Sequence, residues 1–204
     1  MPKEYEYRFV DIDANKIKKI LKENGGKVYQ KRFKMKIYHY KHPHYSNYNI
    51  RVRNEGKDKT LTVKIKNKTK FPEEHEIKID NMNAANKIVK LLGCKLDLHN
   101  EKIREFWHIK GAKEIVFDEL PGMPPFVEVD CHSKQALIKM CKLLKLDPKK
   151  DFGERDKYNY HYGITPNRNK RESLTFKNAS KVLGKYITKN KGKFMKILKE
   201  QQKV

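Results

Sequence analysis

Most of the first 131 residues alternate between apolar and polar side chains, the pattern of β-strands that bury one face. We predict eight strands, at Lys3–Val10, Lys27–Tyr40, Tyr48–Asn54, Thr60–Lys66, Glu74–Ile79, Glu101–Ile109, Glu114–Asp118 and Phe126–Asp130. Residues 54–58, with the sequence Asn-Glu-Gly-Lys-Asp, suit a hairpin turn between the third strand and the fourth.

Three other segments have apolar residues at helical spacing. They are Asn15–Asn24, Asp80–Leu92 and Ser133–Leu146, and Asp80 and Ser133 are candidate N-caps. The apolar positions of the second segment are Ile88, Leu91 and Leu92. This order of strands and helices predicts an α+β fold with a mostly antiparallel sheet.

The charge and composition of the chain limit the classes of partner and the cellular locations that we expect. The 204 residues include 48 Lys and Arg against 25 Asp and Glu, a formal net charge of +23 that predicts an anionic partner. No uncharged apolar run is long enough to cross a bilayer, and the first residues lack the apolar core of a secretory signal. The three cysteines have no CxxC spacing, so we expect neither a disulfide framework nor a zinc site. These features predict a cytoplasmic protein without a membrane partner.

The last 40 residues are the most basic part of the chain, with 12 Lys or Arg against 2 Asp or Glu. They begin as a linker rich in Pro, Asn and Arg and end with Phe194, Ile197 and Leu198 at helical spacing. We therefore predict a domain of residues 1–164, followed by a basic linker and amphipathic helical tail of residues 165–204. The tail either docks on RNA or another acidic surface, or is a solvated helix that covers one end of the domain.

The polar face of the predicted strands consists almost entirely of full charges, and these are sorted by strand. Carboxylates lie on the first, fifth, seventh and eighth strands, whereas cations lie on the third, fourth and sixth. A merely solvated sheet face, the plainer alternative, would mix both signs within each strand. Carboxylates can hold a divalent cation, and guanidinium and ammonium groups can hold phosphate oxygens. An eight-stranded barrel would point these charges into a bore wide enough for one small ligand.

The order of these charges resembles a known family. Glu4-Tyr-Glu6-Tyr-Arg8 resembles the ExExK motif at the start of the CYTH domain, which defines the triphosphate tunnel metalloenzymes. The stretch Leu120–Glu128 is similar to the bacterial class IV adenylate cyclase branch of that family, and the resemblance extends over about residues 1–164. The other matching motifs, in order, are Arg51-Val-Arg53, Thr62-Val-Lys64, Glu74-His-Glu76, Lys102-Ile-Arg104, Asp118 and Glu128-Val-Asp130.

The resemblance implies a closed eight-stranded antiparallel barrel with a charged interior, helices packed outside it, and Mg²⁺ or Mn²⁺ as cofactor. It implies that the metal ligands are Glu4, Glu6 and Glu128, with help from Asp130. It implies that the triphosphate is held by Arg51, Arg53, Lys64, Lys102 and Arg104. The catalytic residues it implies are Glu4, Glu6, Arg8, Lys64, Glu74, Glu76 and Asp118.

Two departures from the family pattern qualify these roles. Arg8 replaces the usual lysine, and because a guanidinium does not lose its proton, this residue cannot act as a proton acceptor. Asp130 replaces a common glutamate and has a shorter reach, which puts its direct contact with a metal in doubt.

The motifs leave the reaction open. The similarity to the class IV adenylate cyclase branch favours a cyclase, but hydrolysis needs no nucleobase pocket, and the sequence identifies none. We therefore favour a triphosphatase that hydrolyses the γ-phosphate of inorganic triphosphate or of an organic or nucleoside triphosphate. A class IV-type adenylate cyclase that makes cAMP and pyrophosphate is a near-equal alternative. An RNA 5′-triphosphatase and a non-catalytic protein that binds polyphosphate or RNA are further alternatives.

Two smaller clusters carry weaker signals. The histidines His39, His42 and His44 could bind zinc, although Pro43 and the tyrosines around them are more typical of a hairpin end. The neighbouring tyrosines could stack on nucleic acid bases or cover the outside of the sheet. The chain has no Walker loop, no GxGxxG motif and no nucleophile elbow.

Overall fold

The computed structural model describes residues 5–65, 73–153, 156–164 and 172–204. These residues form one antiparallel sheet of eight strands in the order β1-β8-β7-β6-β2-β3-β4-β5. The strands are β1 (Tyr5–Phe9), β2 (Lys27–Lys41), β3 (Tyr48–Glu55), β4 (Asp58–Ile65), β5 (Glu73–Lys78), β6 (Lys95–His108), β7 (Glu114–Glu119) and β8 (Phe126–Cys131).

All eight predicted strands are present, and the largest error in their bounds concerns β6. This strand begins at Lys95 rather than at Glu101 because its first residues pair with the end of the long strand β2, with Leu96 opposite Tyr40. The predicted hairpin is confirmed: Glu55 pairs with Asp58, and Gly56 supplies the positive φ of +84° that the tight turn requires.

The three predicted helices are also present, with short helices in the C-terminal part. Ser133 caps its helix as predicted, but the cap of the second helix is Asn81 rather than Asp80, because the Asn81 side chain accepts the hydrogen bond from the backbone N–H of Ala84. The helices are α1 (Ala14–Glu23), α2 (Met82–Leu91), α3 (Lys134–Leu143), α4 (Lys157–Tyr162), α5 (Ala179–Leu183) and α6 (Lys191–Gln201), with a 3₁₀ turn at Pro148–Lys150.

The apolar face of the sheet is its outer face, and the first three helices pack on it as predicted. Helices α1 and α3 form one core with β1, β7 and β8, in which Leu21, Ile115, Val127 and Cys141 are completely buried. Helix α2 forms a smaller core on the other half of the sheet, where Ala85 and Val89 pack against Ile50 and Val52. The sheet is curved, and this arrangement leaves its opposite, charged face on the inner side.

The C-terminal residues pack against the sheet. Phe176, Phe194 and Leu198 share a core with Ile103 on the outer face of β6. Residues 173–176 run beside the start of β6, beyond the end of β7, where the N–H of Glu101 donates to the carbonyl of Leu174 at 2.9 Å. The predicted basic helix is present as α6.

Gly122, in the loop after β7, lies against Phe194 of the C-terminal helix α6. Its φ is +75°, and a Cβ there would lie 2.2 Å from the ring of Phe194. We expect Gly122→Ala to destabilise the fold by about 2 kcal/mol or more, because both the backbone and the core would be strained. Gly192→Ala is the matched control: it meets no atom within 4 Å and lies inside α6, so it should stabilise the fold by about 0.5–1 kcal/mol. Urea unfolding measures both values, and equal stability of the two variants would contradict this packing.

The sheet is not closed, so the prediction of a closed barrel was wrong in this respect. Strands β1 and β5 are its two free edges. At β1, the backbone groups of Arg8 that face away from β8 are already used: its N–H donates to Asp151 and its carbonyl accepts from the N–H of Phe152. In addition, β1 carries Glu6 and β5 carries Glu74 on the inner face, and direct pairing would bring like charges together.

Candidate functional site

The register of the strands places the predicted site residues on one face of the sheet. Residues directly opposite each other share a face, as Arg8 and Glu128 do, and likewise Arg104 and Asp118. Glu4 lies outside the described residues. The predicted residues on the inner face are Glu6, Arg8, Arg51, Arg53, Lys64, Glu74, Glu76, Lys102, Arg104, Asp118, Glu128 and Asp130.

This inner face is concave. Burial raises the pKa of Glu114 on β7, and Glu55 on β3 adds to the increase although two strands separate β7 from β3. The sheet therefore curls enough for these side chains to face each other. Strand β2 crosses the middle of the face with the apolar side chains Phe33, Met35 and Ile37.

The deepest charge on the face is Asp118, whose side chain is only 1% exposed. Its Oδ1 accepts from Arg104 Nε at 2.6 Å, and its Oδ2 accepts from Arg104 Nη2 at 2.5 Å and from Lys102 Nζ at 2.9 Å. Burial favours the neutral acid, but the two cations outweigh it and lower the pKa of Asp118 to about 2. Asp118 therefore fixes the positions of both cations.

Arg8 links the carboxylates of two strands. Its Nη2 lies 2.6 Å from Glu6 Oε1, and its Nε donates to Glu128 Oε1 at 2.9 Å. The other oxygen of Glu128 accepts from Arg104 at 3.0 Å. The guanidinium thus supplies the positive charge between Glu6 and Glu128.

Asp130 retains a free acceptor. Its Oδ2 accepts from Lys113 Nζ at 2.9 Å, whereas its Oδ1 is buried without a hydrogen-bond partner. Since a buried acceptor without a partner is costly, this oxygen is suited to a ligand. In residues 5–65, 73–153, 156–164 and 172–204, no three His, Cys, Asp or Glu side chains are close enough together to hold a metal. Whether Glu6, Glu128 and Asp130 are metal ligands stays a prediction.

The second group of cations lies on β3 and β4 and is oriented by the carboxylates of β5. Arg51 Nη2 is 3.4 Å from Glu74, and Lys64 Nζ is 3.3 Å from the same carboxylate. Arg53 Nη2 donates to Glu76 at 2.5 Å and to Thr62 Oγ1 at 3.2 Å.

The two guanidinium groups of this cluster are not fully satisfied. The Nε atoms of both Arg51 and Arg53 are buried without a hydrogen-bond acceptor. Burial lowers the pKa of Arg51, and the positive charge of Arg53 lowers it further. An anion that accepts from both side chains would relieve this repulsion.

The family is shown by comparison of the sequence with known protein families. A family model described as the CYTH domain matches residues 2–139, about two thirds of the chain. The chain belongs to the CYTH family. Members of this family are triphosphatases or adenylate cyclases, bind triphosphate substrates and depend on a divalent metal.

Several solved structures share the fold of this chain. A protein from Vibrio parahaemolyticus, described as a candidate adenylate cyclase, has a TM-score of 0.63 at 15% identity, over 77% of this chain and 95% of that one. The PH1012 protein of Pyrococcus horikoshii OT3 has a TM-score of 0.57 at 18% identity, over 73% and 94% of the two chains. The PH1819 protein of the same organism has a TM-score of 0.51 at 22% identity, over 74% and 95%. The comparison with curated proteins found no match.

The CYTH motifs did not identify Lys157, which joins the charged face from the start of α4. Its Nζ lies 4.7 Å from the centre of the Phe126 ring. Burial and Arg8 lower the pKa of Lys157. Three carboxylates of the face raise the pKa of Lys157 and so partly offset this decrease: Glu128, Asp118 and Glu6. No sequence signal marks this lysine, because only the tertiary structure brings the start of α4 to Phe126 of β8.

Two polar residues of the CYTH face were missed although a signal existed. Strand alternation places Glu114 and Thr62 on the polar face, but the motifs give neither a role; Thr62 is completely buried and Glu114 is half-buried. Glu114 lies opposite Asp130, and Thr62 Oγ1 donates to Glu76 at 2.7 Å.

The histidine and tyrosine cluster lies at the β2–β3 hairpin. The backbone N–H groups of His44 and Tyr45 donate to His42 Nδ1 at 3.1 and 3.2 Å, so this ring nitrogen stabilises the turn. Tyr38 stacks on His99 with ring centres 4.4 Å apart and packs on the outer face.

The three cysteines are free and buried. No helix in the described ranges is both long and apolar enough to cross a membrane.

Proposed function

We propose that the protein is a divalent-metal-dependent triphosphatase that hydrolyses the γ-phosphate of inorganic triphosphate or of an organic or nucleoside triphosphate. The observation that carries this proposal is that the concave face has buried hydrogen-bond donors without an acceptor, which an anion could satisfy. Arg51 and Arg53 each have a buried Nε without an acceptor, and they share the face with carboxylates that suit a metal.

Carboxylate oxygens are the ligands that a hard divalent cation prefers. No three acidic side chains in the described ranges lie close enough together to share one, so a bound cation would have to draw Glu6, Glu128 and Asp130 closer. We propose Glu6, Glu128 and Asp130 as ligands of Mg²⁺ or Mn²⁺, with Glu4 as a further ligand, and the free Oδ1 of Asp130 supports this choice. When bound, the metal would neutralise charge on the phosphate oxygens. Arg8 already balances Glu6 and Glu128, so this guanidinium would turn towards the substrate when the carboxylates take a cation.

The cations would hold the triphosphate and stabilise the charge that develops on it. Asp118 holds Lys102 and Arg104 in place, so neither side chain has to reorganise when a phosphoryl group arrives. Glu74 and Glu76 orient the cations of β3 and β4 in the same way. Phosphoryl transfer needs mainly this positioning and charge neutralisation.

The alternative reactions use the same side chains. In an adenylate cyclase, the ribose 3′-hydroxyl would attack the α-phosphorus and release pyrophosphate, whereas in a triphosphatase water attacks the γ-phosphorus. We favour hydrolysis because the side chains on this face suit phosphate groups and a metal. Hydrolysis needs only these groups, whereas a cyclase must also position a nucleoside.

The C-terminal segment supports a proposal about RNA. The apolar side of α6 is buried through Phe194 and Leu198, so its lysines are exposed. We propose that the domain of residues 1–164 is extended by residues 165–204, whose apolar side chains join its core at Ile103 and whose basic surface attracts polyanions, including RNA 5′ ends. The free, buried cysteines agree with a reducing, cytoplasmic location, which we also propose.

One assay distinguishes these functions. The full chain is incubated with Mg²⁺ or Mn²⁺ and with inorganic triphosphate, ATP, thiamine triphosphate or 5′-triphosphate RNA, and the products are identified. Release of orthophosphate supports the triphosphatase, and cAMP with pyrophosphate identifies the cyclase. Salt-sensitive binding without any product would leave only the binding protein.

Arg51 is the cation best suited to test how substrate is held. We expect Arg51→Gln to lower kcat/KM by about 10–100-fold, since hydrogen bonds between charged groups contribute about 1.5–3 kcal/mol. Arg32→Gln is the matched control, because Arg32 is paired with Glu119 on the outer face and should leave kcat/KM unchanged. Equal losses in the two variants would show that the effect is not specific to the concave face.

A further inference from the structure

Helix α2 and its neighbours expose an apolar surface that the fold does not use. The sequence pattern predicts that Leu91 and Leu92 face a core, yet they are 76% and 72% exposed. In the described part of the chain, five of the six exposed Leu and Ile side chains lie on this side, and the sixth is Ile138 on α3. We call this surface the α2 patch; it consists of Ile77, Ile88, Leu91, Leu92 and Leu96.

The α2 patch extends from an open sheet edge to one end of the molecule. Ile77 on the edge strand β5 and Ile88 on α2 line the same surface cavity. Leu91 and Leu92 end the helix, and a Cβ on the following Gly93 would lie 3.6 Å from Pro43 in the β2–β3 hairpin. The α2 patch therefore ends beside the β2–β3 hairpin.

The charges around the α2 patch are basic. The exposed lysines Lys87, Lys90 and Lys95 alternate with its apolar residues along the chain. Two of the acids at its borders are paired: Asp58 accepts from Lys78 at 3.1 Å, and Asp97 lies 2.6 Å from Lys41. A third acid, exposed Asp80, lies beside Ile77 and Ile88 in the same cavity. The patch thus combines aliphatic side chains with a net positive charge, since three exposed lysines stand against the remaining acid Asp80.

Contrary to the expectation from the sequence that the protein has no membrane partner, we propose that the α2 patch docks it on the surface of an anionic lipid bilayer. The aliphatic side chains would enter the boundary between headgroups and acyl chains, and the lysines would lie against acidic headgroups. Charge complementarity decides against a second copy of the chain, because a symmetric contact would bring the same lysines together. Nucleic acid would match the lysines but would leave the exposed leucines without a partner.

Vesicle sedimentation tests this docking with the full chain. The vesicles consist of phosphatidylcholine alone or of phosphatidylcholine with phosphatidylglycerol, and binding is measured at low and at moderate salt. We expect binding to the anionic vesicles that persists at moderate salt, when the attraction of net charge alone is screened. Absence of such binding would overturn the proposal.

Matched variants separate the α2 patch from the general positive charge of the protein. The double variant Leu91→Ser with Leu92→Ser keeps every lysine, and we expect it to lower vesicle affinity at least about tenfold. Ile138→Ser removes an exposed isoleucine of α3 and should leave the affinity unchanged. If the double variant binds as tightly as the unchanged chain, or if it instead dissolves a dimer seen by light scattering, the lipid assignment is wrong. Triphosphate turnover in the same samples reports on the concave face independently.

Discussion

Glutamine in place of Glu6 is expected to lower metal-dependent triphosphate turnover by at least about 100-fold, with the fold retained. The Glu6 carboxylate lies 2.6 Å from Arg8 and faces the interior of the curl. Glutamine has nearly the same shape but loses the charge that would hold a divalent cation. Turnover measured as a function of Mg²⁺ or Mn²⁺ concentration should show a weaker dependence on the metal as well as a lower maximum.

Glu73→Gln is the control for this loss. Glu73 is also a strand glutamate, but it alternates with Glu74 and Glu76 and so lies on the other face of β5, where it pairs with His75. We expect normal turnover in this variant. If Glu6→Gln keeps full activity while its circular dichroism spectrum is unchanged, the metal ligands lie elsewhere and the proposed function loses its basis.

Asparagine in place of Asp118 is expected to lower the free energy of unfolding by about 3–5 kcal/mol near neutral pH. The buried carboxylate balances both Arg104 and Lys102, and its loss would leave two cations facing each other in the interior. Urea denaturation at pH 7 measures this change. Asp58→Asn, which removes an exposed pair with Lys78, should leave the free energy of unfolding nearly unchanged.

The effect of Asp118 should depend on pH in a defined direction. Its pKa in the folded protein is about 2, below the ordinary value of 3.8, so its contribution to stability is present above pH 3.8 and is lost as the pH falls through about 2. The difference in stability between the unchanged chain and Asp118→Asn should therefore narrow in acid. A difference that stays constant from pH 7 to pH 2 would show that the carboxylate acts through packing alone.

Much of the site was predictable because a strand reveals its faces in its sequence. Alternation alone put Arg51 and Arg53 on the face opposite Ile50 and Val52, and the structure places them there. The same reasoning failed for α2, since helical spacing marks an apolar stripe without showing whether another element covers it. The start of β6 was missed because those residues depend on pairing with the distant strand β2.

Closure of the sheet could not be read from the strand pattern. It depends on which backbone groups remain free at the two edges of the sheet. At Arg8 these groups are hydrogen-bonded to Asp151 and Phe152, which lie 143 and 144 positions later in the chain. Lys157 reaches the charged face through the same distant segment.

By itself the sequence determined the number of strands, the sorting of charge between them, and the family to which these motifs belong. A period of two is a local property, so it fixes the face on which each side chain lies. The tertiary structure alone decided which charges meet, that Arg8 links Glu6 to Glu128, and that Asp118 lies between two cations. Those contacts join residues far apart in the chain, and their geometry follows from strand order and curl rather than from any local pattern.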